Sequence, residues 1–191
     1  MNIFVLHEDP QIAATMQCDK HIPKMVVEAA QMLSTAHRML DGREDKRPSK
    51  SGKRMVKYYY LDDPIAEEVY MKAVHFYHPC TVWTMESSDN YQWHWKHLKA
   101  LCEEYTYRYG KTHKVHAERL EALKKIPTNI PHIGLTPFKQ AMNHYPMCKD
   151  PDPVTAYRNY YHAAKSFAKW EKGRPAPDWW KGYQGADLYT A

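Results

Sequence analysis

Three Asp-Pro steps, Asp9-Pro10, Asp63-Pro64 and Asp152-Pro153, punctuate the chain and constrain its fold more than any other feature. An aspartate at a helix N-cap accepts a hydrogen bond from a backbone N–H of the first turn. A proline at the next position loses nothing, because its missing N–H would have no partner there. Each step therefore predicts a helix start. Elsewhere apolar residues recur at helical spacing. Ile22, Met25, Val26, Ala29, Met32, Leu33, Ala36 and Leu40 predict a helix from Pro23 to Leu40, closed by Gly42. Tyr91, Trp95, Leu98, Leu101, Cys102, Tyr105 and Tyr109 predict a long one from Ser88 to Tyr109, closed by Gly110. Shorter helices are predicted from Pro64 to about Val74 and over 113 to 124, and a last one from Val154 to about Trp170. Residues 126 to 153 carry six prolines and read as a connection. The opening Ile3-Phe4-Val5-Leu6 reads as a short strand or a buried extended lead-in, and no other stretch alternates as a strand should. The expected fold is all-α: one helical domain over 1 to 191, a compact bundle of about three main helices with shorter helices and an extended aromatic tail over 173 to 191.

No apolar run approaches the ~18 residues that span a bilayer. The first residues lack a basic leader and a small-residue cleavage site, so a cytoplasmic protein is expected. The four cysteines, at 18, 80, 102 and 148, form no CxxC pair and are expected to be reduced. Net charge is a modest +5, but Arg43, Lys46, Arg47, Lys50, Lys53, Arg54 and Lys57 fall within fifteen residues. Such a cluster reads as a basic loop that attracts phosphate backbones, or as a solvated charge run. The chain holds 15 Tyr and 6 Trp against 4 Phe, a balance that suits stacking on bases more than packing alone. Protein–protein interfaces use similar chemistry.

Several segments gather chemistry. Residues 18 to 28 place Asp19, Lys20, His21 and Lys24 at a helix start and Glu28 further in. Cations oppose the dipole there, while the unpaired N–H groups suit a phosphate. His78-Pro79-Cys80-Thr81-Val82-Trp83, followed by Asn90 and Tyr91, offers polar and aromatic groups before the long helix. Tyr107, Arg108, Lys111 and His113 crowd its far end, and Arg158 stands among tyrosines. Cys18, His21, His78 and Cys80 are a weaker alternative as zinc ligands. There is no Walker loop, GxGxxG, HExxH or GxSxG.

These segments, in this order, resemble the T4 endonuclease V-like pyrimidine-dimer DNA glycosylases. Lys20-His21-Ile22-Pro23-Lys24 is similar to that family's helix start. His78-Pro79-Cys80-Thr81 and the helix ending at Arg108-Tyr109-Gly110 are similar to its Ser-Pro-Thr segment and central helix. Arg174-Pro175 and Trp179-Trp180-Lys181-Gly182-Tyr183 are similar to its C-terminal tail. The chain also resembles a group of phage proteins with a similar CDKH segment. His21 stands where the family keeps its catalytic glutamate, and Asn2 where it has an N-terminal threonine.

The resemblance implies a DNA base-excision enzyme, glycosylase/AP-lyase-like, acting on damaged or modified bases and needing no cofactor. In it the Met1 amine, or Asn2 after processing, is the nucleophile, with His21 as acid/base and Glu28 as reserve carboxylate. An α-amine is the least basic amine of a chain, which favours this role. Lys20, Lys24, Arg108 and Lys111 would hold phosphates. Trp83, Tyr91, Tyr107, Trp179 and Trp180 would stack on or wedge the duplex, with His78, Asn90, His113, Arg158 and Lys181 as further DNA contacts. The tail would pack on or near that face of a monomer. The rival expectations are a non-catalytic phage DNA-binding protein and a zinc-dependent nuclease or base-modifying enzyme.

Overall fold

The computed structural model describes residues 1–189. The last two positions of the expected tail, 190 and 191, lie outside the described residues. All three Asp-Pro steps start helices. Asp9 caps α1 (Pro10–Met16), Asp63 caps α3 (Pro64–Val69) and Asp152 caps α8 (Pro153–Ala164), each carboxylate accepting from N–H groups of the first turn. The two long helices are α2 (His21–Asp41) and α5 (Ser88–Tyr109). Gly110 ends α5 with φ 65, the left-handed cap that glycine adopts without a Cβ clash. Ile22, Met25, Val26, Ala29, Met32, Leu33 and Ala36 of α2 are buried, as are Leu98 and Leu101 of α5. Fully burying such a side chain contributes about 1.5–3 kcal/mol.

The expected all-α bundle of about three main helices is not the architecture found. Eight α-helices, most of them short, share the described residues with a two-stranded antiparallel sheet. That sheet replaces the expected basic loop. Strand β1 (Arg43–Pro48) pairs with β2 (Met55–Tyr60), Arg43 opposite Tyr60 and Lys46 opposite Lys57. No alternation announces β1, because nearly every residue in it is exposed and charged. Its cations instead lie on the tyrosines of β2, Arg47 being 3.8 Å from the Tyr58 ring centroid. Arg38, fully buried in α2, roots the hairpin. It donates to the carbonyls of Tyr59, Glu67, Tyr70 and Met71 and pairs with the Glu67 carboxylate at 2.6 Å.

Other boundaries shift as well. α3 stops at Val69 rather than Val74, and α8 at Ala164 rather than Trp170. The helix expected over 113 to 124 breaks at Arg119 into α6 (Lys114–Glu118) and α7 (Leu120–Leu123). An unexpected α4 (Pro79–Glu86) starts where His78 Nδ1 accepts from the Cys80 N–H. The proline-rich connection contains one short turn of 3₁₀ helix, Pro146–Cys148. α5 packs against α1 and α2, and α4 packs beside α2. The opening residues form no strand. Ile3, Phe4, Val5 and Leu6 are buried as an extended lead-in. Among the described residues no helix is long and apolar enough to cross a membrane.

Candidate functional site

The lead-in delivers the chain's amino group to the side of α2. Phe4 adopts φ 58, a left-handed conformation that a bulky residue rarely takes. The Asn2 side chain sets this bend. Its Oδ1 accepts from the Ile3 and Phe4 N–H groups, while its Nδ2 donates to the Ala141 carbonyl at 2.8 Å. As a result the Asn2 N–H donates to Glu28 Oε2 at 2.9 Å, and the Met1 amine stands 3.7 Å from the same oxygen. Lys24, one turn before Glu28 on α2, approaches its other oxygen at 3.8 Å and is largely exposed.

Around this pair lies a pocket of about 390 Å³, a size suited to a small organic ligand. Met1, Asn2, Lys24, Glu28 and His78 line it, joined by Phe4, His144, Tyr160 and Lys165. Burial lowers the pKa of His78, with the nearby amino terminus and His75 adding to the effect. The Met1 amine, Lys24 and Lys165 outnumber the one carboxylate, Glu28, so the pocket favours an anionic ligand.

His21 does not join them. It is buried, stacked on the Phe4 ring at 4.5 Å, and its Nδ1 meets the Tyr161 hydroxyl at 2.5 Å. Burial, reinforced by Lys165, Lys24 and Lys20, pushes its pKa down to about 3. A neutral ring locked behind Phe4 is a packing group, so the acid/base role expected of it is not supported by its placement. Glu28, expected only as a reserve, holds the position beside the amine. About two turns of helix separate it from His21, but the backward bend at Phe4 brings the amine to it.

The remaining expected contacts divide by burial. Trp83, Asn90 and Tyr91 lie in the core. Trp83 Nε1 donates to the Thr136 carbonyl, Asn90 bridges Trp83 and Thr136, and the Tyr91 hydroxyl donates to the Leu123 carbonyl. Arg108 is also buried, donating to Glu104, Asp19 and the carbonyls of Thr15 and Gln17. It joins α5 to the α1–α2 corner, and its fully buried side chain is out of reach of a phosphate. Arg158 donates to the Leu6 carbonyl, and His113 caps α6.

Tyr107 is exposed but donates to the Gly173 carbonyl under the Arg174 guanidinium. Trp179 and Trp180 of the tail pack against α8, Trp180 stacking on His162 at 5.1 Å. Lys20 lies over Phe167, and Lys111 and Lys181 are exposed. Cys18, His21, His78 and Cys80 do not assemble, and among the described residues no cluster of three or more metal-binding side chains exists. Burial pushes the Cys80 thiol up to about 12, which opposes thiolate ligation.

One surface feature went unread in the sequence. Tyr77, beside His78, is 77% exposed. Its neighbour Phe76 packs on Tyr59 of the hairpin, so the segment from Met71 to His78 runs between hairpin and pocket. At the hairpin tip Lys50, Lys53 and Arg54 are exposed and make no ion pair with a described residue. No protein-family model, curated protein or solved structure matches the chain.

Proposed function

We propose that the chain is a DNA base-excision enzyme of glycosylase/AP-lyase type, working on a damaged or modified nucleotide extruded from the duplex. One observation carries the reading: the Met1 amine stands 3.7 Å from the Glu28 carboxylate in a cationic pocket. An amine beside a carboxylate suits attack on a sugar C1′. The nitrogen lone pair forms the new bond as the bond to the base breaks, and the base leaves with the bonding pair. Glu28 takes the proton the amine sheds and faces the positive charge that develops on the sugar. Opening of the sugar ring then leaves an imine between Met1 and C1′. Extrusion brings the nucleotide to the pocket and is cheapest for a mispaired or damaged base. Lys24 and the cations of the hairpin tip are placed to meet phosphates.

Borohydride trapping tests this. Duplexes carrying an abasic site or ultraviolet lesions should yield a covalent protein–DNA adduct, and Nα-acetylation should remove its Met1 component. Absence of any adduct overturns the lyase reading, and an adduct unaltered by acetylation removes Met1 as its nucleophile.

A further inference from the structure

A second amine opens on the pocket. Lys165, the first residue after α8, lines it together with Met1 and Glu28. Its Nζ lies 4.1 Å from the Tyr160 ring centroid and 5.2 Å from that of Phe4. Lys24 has Glu28 as an ion-pair partner, whereas Lys165 has no carboxylate within ion-pair distance among the described residues. The ring faces attract the ammonium, but the partial burial around it strips water from the charge and favours the neutral amine. Burial first, and then the neighbouring Lys24 charge, pulls its pKa down to about 8. Roughly a tenth of such an amine is free base at neutral pH, far more than of an ordinary lysine.

We infer that Lys165 is an imine-forming amine for aldehyde-bearing sugar phosphates, acting in the same pocket as the Met1–Glu28 pair. The neutral Nζ attacks the aldehyde carbon and the carbonyl oxygen gains a proton, giving a carbinolamine. Loss of that oxygen as water, with the remaining N–H proton passing to solvent, leaves the imine. Lys24 stands at the rim to take the phosphate. Two sources offer this chemistry: a ring-opened abasic site within DNA and a free sugar phosphate. The first rests on the base-excision reading, whereas the reactivity of the amine does not.

The whole chain is incubated at pH 7.5 with cyanoborohydride and either 2-deoxyribose 5-phosphate or a duplex bearing one abasic site, and the reduced adducts are mapped by peptide mass spectrometry. Lys165 should be modified at least about tenfold faster than the exposed Lys149 by the free sugar phosphate, and Lys165→Met should remove that fast component. Modification of Lys165 no faster than of Lys149, or adducts confined to Met1, overturns the inference. Fast modification by the sugar phosphate with no adduct to the duplex supports the inference and instead removes the base-excision reading.

Discussion

Glu28 Oε2 receives both the N–H of Asn2 at 2.9 Å and the approach of the Met1 amine at 3.7 Å, so a single carboxylate oxygen fixes the start of the chain. Glu28→Gln keeps the shape of this contact and removes its charge. Trapping on abasic duplex should fall by about a hundredfold or more, the range for losing a positioned acid or base. The thermal midpoint reports folding separately. An unchanged adduct yield in folded Glu28→Gln would remove the carboxylate from the mechanism.

Arg108→Met should destabilise the fold by about 3–5 kcal/mol, because Asp19 would keep its charge without the guanidinium and Glu104 would be left with Arg174 alone. Urea unfolding measures this. Duplex affinity per folded molecule should be unaltered, since Arg108 touches no open surface.

Acid should unfold the protein earlier than carboxylate titration alone predicts. Burial lowers the pKa of His21 and His94 to about 3 and of His37 and His97 to about 4. Below pH 6.5 the unfolded chain takes up these protons and the folded one does not. Stability is therefore fully present above pH 6.5 and falls as the pH drops towards 4, by roughly 1.4 kcal/mol per pH unit for each histidine. Urea midpoints from pH 7.5 to 5 check the slope, and a flat profile would show that these rings protonate within the fold.

Reversing charge at the hairpin tip with Lys50→Glu, Lys53→Glu and Arg54→Glu should weaken duplex binding without lowering the thermal midpoint. The slope of log affinity against log salt should shrink by about 0.9 for each phosphate that the altered tip no longer neutralises. An identical slope would move the duplex off this arm.

Tyr77→Ala should cost duplex affinity about 1–3 kcal/mol, the range for a base stacked on an aromatic ring. Because the ring is exposed, folding stability should scarcely change. Fluorescence anisotropy with a labelled duplex gives the comparison.

Helices with a strong apolar stripe or an Asp-Pro start were legible in the sequence, because caps and periodicity act over a few residues. The Ser88 to Tyr109 helix is found with the bounds its stripe predicted. The hairpin was not legible. Its strands are held by Arg38 and by cations lying on tyrosines, contacts that leave no alternation in the residues 43 to 48. At the site, Glu28 and Lys24 were visible as charges on one helix. Lys165 and Tyr160 were not, because only the packing of α8 against the lead-in brings them to the pocket. Tyrosine and tryptophan content pointed outward, yet Tyr91, Tyr157, Tyr161 and Trp83 are buried with internal partners for their polar groups. Composition measures how many rings a chain carries, and only the fold decides which of them face a ligand.

If the chain holds a duplex as proposed, the helix α2 is also a measuring rod. Lys24 and Glu28 sit in its first half and Arg38, the root of the hairpin, near its far end. The ten residues from Glu28 to Arg38 rise by about 15 Å, between four and five steps of a duplex at roughly 3.4 Å each. A polymer held at both ends would be read by length, whatever its sequence. Four residues added between Glu28 and Arg38 would lengthen the gauge by about 6 Å and displace the outer grip by nearly two steps.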